Sequence, residues 1–426
     1  MAVDRLGGYH DEGLETLPWD EKRGFLERRL QAAVLLAFHR APAMREKLQA
    51  ARVDPGQIRR LEDLERVPIT PKSSLAKLQA ARPPFGGLLA VDPSELRRVY
   101  VSPGAIYDPE GRQPDFWRLQ GVFYNAGFRP GDRILNTFSY HLTPGGLMCD
   151  EALTGIGCTV VPGGVGNTDT QLQLLAQLQL NGYVGVPSFL LALIERAEQS
   201  GKDFRRDFNM EIAVTAGEML TAQVRQTFKE RYGILVRQFY ATADVGAIAY
   251  ECPEERGMHF ADHRIVEVLD PATGKHLQPG EPGEVVVTLL DNPIYPLIRF
   301  GTGDLSAYDD APCPCGRTSP RLTRLLGRVD QAAKVRGMFI HPSQVVEVAA
   351  QFNEIQIAQA VVEREGNRDR LTFRVAVDPT VSREGLAAKL QEKIRSVMKL
   401  RAEVAFAIKE EFQEAEKRVL DLRRWE

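Results

Sequence analysis

Between residues 133 and 240 the sequence alternates short apolar segments with longer amphipathic ones. The apolar segments predict strands at 133–138, 183–186, 212–215 and 236–240, and helices are predicted at 168–181, 189–199 and 222–231. Strands joined by helices of about ten residues or more form a parallel sheet with helical crossovers. Ligands of such sheets bind beyond the carboxyl ends of the strands. Residues 186–188, 216–218 and Tyr240 occupy these ends, so they are candidates for a ligand site.

The regions on either side of this repeat have different patterns. Before it, helices are predicted at 20–39, with Asp20 as N-cap, and at 112–126. After it, antiparallel strands are predicted at 260–269 and 283–290, because both carry Val-rich runs that end in turn residues. The C-terminal region predicts a small α+β domain, with strands at 357–363, 371–377 and 403–408 and a helix at 383–399. A chain of 426 residues also exceeds what a single core usually supports.

The composition limits the class of partner. Hydrophobic residues make up 43% and charged residues 26% of the chain, and the formal net charge is −3, so neither nucleic acid nor an anionic membrane is an expected partner. No apolar run approaches the roughly 20 residues of a membrane-spanning helix, and the first residues do not resemble a signal peptide. We therefore expect a cytoplasmic protein. The sequence leaves both a monomer and a homodimer open.

Three of the five cysteines and one histidine have spacings that suit a metal site. Cys252 and His259 form one close pair in the sequence, and Cys313 and Cys315 form another. Three thiolates and one imidazole satisfy the tetrahedral preference of structural Zn²⁺ and leave no open position for catalysis. The alternatives are a site in which His263 replaces His259, and buried reduced cysteines that hold no metal.

Three short motifs lie close together in residues 295–337. An Arg-Phe-Gly-Thr-Gly-Asp segment ends at Asp304, a Cys-Pro-Cys-Gly-Arg segment follows, and a Gly-Arg-Val-Asp segment ends at Asp330. Taken alone, each Gly-containing turn is most simply a surface loop. Together and in this order they resemble the adenylate-forming acyl-CoA ligases, specifically the phenylacetate-CoA ligase branch. The resemblance extends from Pro42 to Asp421.

The resemblance implies the adenylate-forming ligase fold of the α/β class. In this fold a large N-terminal domain, residues 1–329 here, begins with a helical segment at 1–97 and contains parallel and antiparallel sheets. A small mobile α+β domain occupies residues 330–426. The implied reaction is ATP-dependent activation of a carboxylic acid, aromatic and phenylacetate-like, to an acyl-adenylate, followed by transfer to CoA, with Mg²⁺ as cofactor. The alternative is a degenerate homologue that only binds a nucleotide or acyl ligand, or that performs only the thioester-forming half-reaction.

The resemblance also implies roles for individual residues. Asp304 matches the residue that holds the ribose, Asp330 matches the hinge, and Asp244 matches a residue that helps to hold Mg²⁺. The implied nucleotide-binding residues are Ser102, Gly104, Gly217, Glu218, Tyr240, Ala241, Thr242, Asp304 and Arg321. The implied acyl-pocket residues are Tyr140, His141, Gly145, Gly146, Pro187 and Ser188. The implied CoA-binding residues are Lys334, Arg336 and Gly337, and the catalytic candidates are Asp244, Arg328 and Lys417.

The loop that would surround the ATP phosphates departs from the family pattern. The family uses backbone N–H groups, hydroxyls and a lysine there. Here the sequence keeps the frame of the loop but loses an N–H at Pro103 and hydroxyls at Ala105 and Ile106. Asp108 lies near the position of the expected cation, where a carboxylate repels a triphosphate.

The C-terminal signature departs as well. When the sequence is aligned on Arg418 to Asp421, the position of the family's adenylating lysine is Ala415. Lys417 matches only the second basic position of that signature. A surface helix with spaced ion pairs explains the same segment equally well.

Overall fold

A computed structural model describes residues 4–102, 104–335, 338–365, 368–378, 383, 385–412, 414 and 417–423. The chain folds as two compact units. The first contains Met1–Glu281, Val286–Thr302 and Ala307–Arg324, and the second contains Pro282–Val285, Gly303–Ser306 and Leu325–Glu426. The continuous part of the second unit begins at Leu325, five residues before the predicted domain start at Asp330. The domain boundary between residues 329 and 330 stays a prediction.

The helices and strands are numbered in chain order. The helices are α1 (Glu12–Glu15), α2 (Trp19–Arg40), α3 (Pro42–Ala50), α4 (Leu75–Ala81), α5 (Gln120–Asn125), α6 (Gly145–Gly155), α7 (Thr168–Gln177), α8 (Pro187–Gln199), α9 (Phe204–Asp207), α10 (Ala222–Gln226), α11 (Pro342–Ala349) and α12 (Leu386–Met398). The strands are β1 (Thr70–Pro71), β2 (Arg98–Ser102), β3 (Ile106–Glu110), β4 (Arg133–Asn136), β5 (Thr159–Pro162), β6 (Gly182–Gly185), β7 (Ile212–Thr215), β8 (Leu235–Thr242), β9 (Gly246–Glu251), β10 (Met258–Phe260), β11 (Arg264–Leu269), β12 (Gly283–Leu289), β13 (Phe300–Asp309), β14 (Arg321–Arg328), β15 (Ala333–Val335), β16 (Met338–Ile340), β17 (Ile355–Glu365), β18 (Arg368–Val377), β19 (Glu403–Phe406) and β20 (Val419–Asp421).

The central sheet has a parallel half and an antiparallel half. Its strand order is β11-β12-β13-β14-β10-β9-β8-β7-β6-β4-β5, and β1 pairs with β13. Neighbouring strands from β8 to β5 are parallel, whereas β8, β9, β10 and β14 pair in antiparallel fashion. This arrangement confirms the α/β fold class and the parallel repeat predicted from residues 133–240.

β6 and β7 lie in the buried middle of the parallel half. Every residue of β6 and β7 is buried, as expected for strands that are covered by helices on both faces. The core on the side of α8 combines aliphatic side chains with the rings of Tyr183, Phe204 and Phe228, all less than 2% exposed. This packing fixes the positions of the loops at the carboxyl ends of the strands, where the candidate ligand residues lie.

The second unit contains a separate sheet with the strand order β19-β18-β17-β20. β17 and β18 form a long antiparallel pair, and β19 and β20 add to its edges in parallel. Leu386, Leu390 and Ile394 follow one face of α12 at a four-residue spacing and are buried in the core of this unit. The predicted α+β character of the C-terminal region is therefore confirmed.

Several predicted boundaries were wrong for local reasons. The predicted helix 112–126 is reduced to α5, because Asp115 and Arg118 adopt positive φ angles of 47° and 57° that interrupt a helix. Asp20 is not an N-cap, since α2 already begins at Trp19. The predicted strand 260–269 is divided into β10 and β11. Residues Val419–Asp421, for which a surface helix was the alternative, form the short strand β20.

The described residues contain no helix with the length and apolar character needed to cross a membrane.

Candidate functional site

The loop expected to surround phosphate is the tip of a hairpin. β2 and β3 pair with each other from Arg98–Glu110 to Ser102–Ile106, and Gly104 and Ala105 between them have positive φ angles of 92° and 58°. The Ser102 hydroxyl, which was expected to face a nucleotide, donates a hydrogen bond to Asp108 Oδ2 within the hairpin. The hairpin is therefore closed by its own serine and aspartate, which lie diagonally opposite each other on one face.

Asp108 and Asp244 form a buried pair of carboxylates. Their exposed fractions are 1% and 3%, and Lys72 Nζ lies 2.6 Å from Asp244 Oδ2. Burial, together with the charge of Asp244, raises the pKa of Asp108 to about 7. Lys72 opposes this rise, but one ammonium group cannot neutralise two carboxylates.

The position of Asp244 depends on a tight turn between β8 and β9. Gly246 in this turn has a φ of 70°, and a Cβ atom there would lie 2.4 Å from the carbonyl oxygen of Trp117. Only glycine fits this approach, because both the backbone angle and the contact exclude a side chain. The turn directs Asp244 toward the hairpin that carries Asp108.

The predicted adenine-binding residues follow the ends of β7 and β8. Gly217 and Glu218 are exposed after β7, and Glu218 accepts hydrogen bonds from the backbone N–H of Ser188 at 3.3 Å and from its hydroxyl at 2.9 Å. Tyr240, 6% exposed, lies at the end of β8, followed by the half-buried Ala241 and Thr242. The residues thus occupy the carboxyl edge of the parallel sheet, and their contact with adenine stays a prediction.

A cavity of about 550 Å³ opens at the same edge of the sheet. Its lining is largely apolar and consists of Thr137, Phe138, Ser139, Thr143, Gly145, Val165, Gly166, Val186, Ser188, Phe189 and Ala192. Two of the predicted acyl-pocket residues, Gly145 and Ser188, are among them. A cavity of this size and character suits a small organic molecule with an apolar body.

The other predicted pocket residues shape the surroundings of this cavity. Tyr140 donates a hydrogen bond from its hydroxyl to Asp150 Oδ2 at 2.8 Å, and a Cβ atom on Gly146 would lie 2.7 Å from the carbonyl oxygen of Ser139. Pro187 is the buried first residue of α8, whereas His141 is exposed. None of these four residues lines the cavity itself.

In the second unit, Asp304 and Arg328 form an ion pair. Arg328 Nη1 lies 2.9 Å from Asp304 Oδ1, and their side chains are 39% and 18% exposed. The backbone N–H of Gly303 donates to Glu284 Oε1 at 3.1 Å, and burial raises the pKa of Glu284. The predicted ribose-binding residue is thus an accessible carboxylate that a guanidinium group orients.

The remaining candidates have local partners or lie outside the described residues. Arg321 Nη2 lies 2.6 Å from Asp309 Oδ2 and donates a hydrogen bond to the carbonyl oxygen of Ala311 at 3.0 Å. Lys417 Nζ lies 2.7 Å from Glu414 Oε2. Lys334 belongs to β15, and Pro103, Arg336, Gly337 and Ala415 lie outside the described residues.

Lys72 and the pairing of Asp108 with Asp244 were missed at the sequence level. The Pro-Ile-Thr-Pro-Lys turn at residues 68–72 carries this lysine, and the sequence pattern alone assigns it no role. Asp108 was interpreted only as a source of repulsion. The lysine in that turn was the one sequence feature that could have indicated the ion pair with Asp244, since a buried carboxylate needs a cation.

The four predicted metal ligands converge in the structure. One ligand atom from each of Cys252, His259, Cys313 and Cys315 lies within 4.8 Å of all the others. The Sγ atoms of Cys252 and Cys313 are 3.8 Å apart, and Cys315 Sγ is 3.4 Å from His259 Nε2. A tetrahedral zinc with bonds of about 2.3 Å to sulfur and 2.0 Å to nitrogen requires separations of roughly 3.8 Å and 3.5 Å. The residues therefore fit zinc.

The second ring nitrogen of the histidine supports this fit. His259 Nδ1 lies 2.8 Å from the carbonyl oxygen of Ser319, to which it donates, so that Nε2 keeps its lone pair for a metal. Hydrogen bonding with the Cys252 thiol lowers the pKa of Cys315, and the same interaction raises the pKa of Cys252. His263, the alternative ligand, lies instead 3.8 Å from Asp291 Oδ2.

Comparisons with known proteins agree with this architecture. Residues 116–288 match the family described as AMP-binding enzyme, and residues 337–423 match the AMP-binding enzyme C-terminal domain. The phenylacetate-coenzyme A ligase of Thermus thermophilus is 33% identical over 413 residues, which cover 93% of this chain and 92% of that protein. The phenylacetate-coenzyme A ligase of Aromatoleum evansii is 29% identical and covers 97% of both chains.

A solved structure matches nearly the whole chain. It is an open conformation of 2-hydroxyisobutyryl-CoA ligase in complex with 2-HIB-AMP and CoA. Its TM-score is 0.87 at 26% sequence identity, with 99% of this chain and 97% of that chain covered.

Proposed function

Because the chain belongs to the phenylacetate-CoA ligase family of AMP-binding enzymes, we propose that it activates a carboxylic acid with ATP and transfers the acyl group to CoA. In the first half-reaction the carboxylate attacks the α-phosphorus of ATP, and acyl-adenylate and pyrophosphate form. In the second, the CoA thiol attacks the acyl carbon and AMP leaves. The relatives named phenylacetate-coenzyme A ligase and the 2-hydroxyisobutyryl-CoA ligase complex support this reaction.

The cavity at the carboxyl edge of the parallel sheet is the observation that carries the proposal for the acid. Phe138, Phe189 and Val186 provide apolar walls, and Ser188 and Thr143 provide hydroxyls. An aryl group gains free energy in such a cavity by leaving water. The Ser188 hydroxyl already donates to Glu218, so the Thr143 hydroxyl is the one that can donate to a polar end. We therefore infer an aromatic, phenylacetate-like acid as substrate.

We propose nucleotide-binding roles for individual residues, as the family pattern implies. Asp304 would accept hydrogen bonds from the ribose hydroxyls, and Glu218 and Tyr240 would flank the adenine. Mg²⁺, where bound with ATP, would neutralise phosphate charge next to Asp244. Arg328 and Lys417 are the proposed cations for the α-phosphate region, and Lys334, Arg336 and Gly337 are proposed for CoA.

The phosphate hairpin supports a second candidate function. Ser102 is engaged by Asp108, and the loop has no lysine, so that the adenylation half-reaction has fewer donors than the family pattern provides. A protein with this loop that retains only thioester formation would accept a preformed acyl-adenylate and CoA but would not make the adenylate from ATP.

Pyrophosphate exchange distinguishes these two functions. With ATP, Mg²⁺ and labelled pyrophosphate, we expect exchange to depend on the added acid and to be at least about tenfold faster with phenylacetate-like acids than with short alkyl acids, because the cavity favours aryl groups. The parallel assay supplies phenylacetyl-adenylate and CoA without ATP and measures phenylacetyl-CoA. Thioester formation without exchange for any acid would favour the second function, and failure of both assays would refute the ligase proposal.

We also propose that Asp330 is the hinge of the C-terminal domain. It lies in the short helical turn Val329–Gln331 after β14, and its side chain is 77% exposed, so few contacts oppose a change in its backbone angles. Replacing Asp330 with proline fixes φ. We expect complete turnover to fall by about tenfold or more while AMP affinity changes by less than about twofold.

The control for the hinge is Asp330→Ala, which removes the carboxylate but leaves the backbone free. Isothermal titration calorimetry with AMP and steady-state formation of acyl-CoA provide the two measurements. Equal effects of the alanine and proline variants on turnover would contradict a backbone hinge at this position.

We propose that the Cys3His cluster holds a structural zinc ion. Four ligand atoms at tetrahedral separations and a second-sphere acceptor on His259 support this assignment. A cytoplasmic location, in which thiols remain reduced, is consistent with such a site and stays a prediction. A homodimer likewise stays a prediction.

A further inference from the structure

A second cavity has no lining residue in common with the apolar cavity at the carboxyl edge of the parallel sheet. Its volume is about 440 Å³, and all of its lining residues belong to the first unit. Most of its wall is apolar, and the contributing side chains include Leu26 of α2, Leu61, Ile265 of β11 and Leu277. A molecule bound in this cavity therefore leaves the proposed acyl cavity free.

The carboxylate of Glu267 lines this second cavity with one oxygen unused. Glu267 belongs to β11 and is only 4% exposed. Its Oε1 atom lies 3.2 Å from Arg299 Nε and 3.3 Å from His276 Nε2. Its Oε2 atom is buried and accepts no hydrogen bond from the residues that the structure describes. A buried carboxylate oxygen without a donor is costly, so the cavity wall presents an acceptor that a ligand can satisfy.

The charges around Glu267 do not balance. Arg299 is its cationic partner, but Glu65 is a second carboxylate in the same wall. The ring of His276 lies between them, with Nε2 3.9 Å from Glu65 Oε1, and burial lowers the pKa of this histidine, so the ring is neutral at neutral pH. Burial raises the pKa of Glu267 to about 7, although Arg299 opposes the rise. Two carboxylates thus share one guanidinium group.

The two cationic side chains in the cavity wall have carboxylate partners of their own. Lys22 Nζ lies 2.7 Å from Asp262 Oδ1, and Arg264 Nη1 lies 2.9 Å from Asp291 Oδ1. Neither cation is therefore available to Glu267. The Glu267 end of the cavity keeps a net negative charge, which favours a cationic ligand and disfavours an anionic one.

We propose that this cavity binds a small organic amine, whose protonated amino group donates a hydrogen bond to Glu267 Oε2 and whose apolar body contacts the aliphatic wall. A charge-assisted hydrogen bond satisfies the buried carboxylate, and the apolar body gains free energy by leaving water. A water molecule could satisfy the carboxylate, but it would leave the apolar wall uncovered. An amine is not the carboxylic acid of the proposed ligase reaction, so this site is independent of the proposed function.

Titration of the full-length protein with hexylamine tests the inference. Isothermal titration calorimetry at about pH 8 keeps the amine protonated and Glu267 ionised. We expect one hexylamine per chain, and hexanol, which has the same apolar body without the charge, should bind at least about tenfold more weakly. Excess phenylacetate should leave the affinity for hexylamine unchanged, because the two cavities share no residue.

Two variants change the site in different ways. Glu267→Gln removes the charge and keeps the shape, and it should weaken hexylamine binding by about tenfold or more. Leu61→Trp fills the cavity from its half-buried apolar side and leaves the pair of Glu267 and Arg299 intact, so it should also weaken binding by about tenfold or more. If Glu267→Gln does not fold, Leu61→Trp alone decides, and thermal unfolding of each variant shows whether it folds.

The matched control is Glu110→Gln. Glu110 is 1% exposed and pairs with Arg98 at 2.9 Å, so this change also removes a buried carboxylate from an arginine, but it does so on β3, which does not line the cavity. The control variant should keep its affinity for hexylamine within about twofold of the wild type. Four results would each overturn the proposal: no saturable binding, equal affinity for hexylamine and hexanol, displacement by phenylacetate, or unchanged affinity in the folded cavity variants.

Discussion

Replacement of Cys313 with serine is expected to abolish binding of the proposed zinc ion and to lower the free energy of unfolding by several kcal/mol. Cys313 lies between β13 and β14, whereas Cys252 and His259 lie 61 and 54 positions earlier, at β9 and β10. A metal that joins these segments binds the folded protein much more strongly than the unfolded chain, so its binding free energy contributes to folding. The measurements are elemental analysis for zinc and chemical denaturation with and without a chelator.

Cys158→Ser is the matched control for this experiment. Cys158 and Cys313 are 7% and 8% exposed, but Cys158 lies outside the cluster, where its thiol donates to the carbonyl oxygen of Arg129 at 3.4 Å. The control variant should keep one zinc ion per chain. Its free energy of unfolding should fall by only about 1 kcal/mol, which is the usual effect of a single substitution. A purified wild-type protein without metal, or equal destabilisation by the two substitutions, would show that the cysteines are merely buried.

The parallel repeat could be predicted from the sequence because each of its strands is short, apolar and followed by a helix. β6 and β7 are buried along their full length, so their sequences contain little but apolar residues and glycine, apart from Thr215 at the end of β7. The region before the repeat could not be predicted equally well. Positive φ angles at Asp115 and Arg118 leave no clear sign in a sequence, since these residues are compatible with helices.

The convergence of the three cysteines and one histidine could be predicted because cysteine and histidine are informative residue types. The choice between His259 and His263 required the structure, in which pairing of β10 with β9 and β14 directs His259 toward the cysteines. The meaning of Asp108 required the structure as well. Its chemistry depends on Ser102, Lys72 and Asp244, and Asp244 lies 136 positions away in the chain, so no local pattern could reveal the pair.

Replacement of Asp304 with alanine should weaken AMP binding by roughly 10²–10⁴-fold. The proposed role of this carboxylate is to accept hydrogen bonds from both ribose hydroxyls, and hydrogen bonds to a charged group contribute about 1.5–3 kcal/mol each. Its side chain is 18% exposed and is oriented by Arg328 Nη1 at 2.9 Å, so it is accessible and held in place. Isothermal titration calorimetry with AMP provides the affinities, and the exposed Asp310→Ala variant controls for loss of charge.

A second ligand separates ribose recognition from a general effect on the fold. The 2′,3′-dideoxy form of AMP lacks both hydroxyls, so the wild-type protein should bind it as weakly as Asp304→Ala binds AMP. In the Asp304→Ala variant, AMP and its dideoxy form should bind with nearly equal affinity, because the partner of the hydroxyls is gone in both cases. If the variant still distinguished the two nucleotides as strongly as the wild type does, another residue would hold the ribose, and Asp304 would serve mainly to position Arg328.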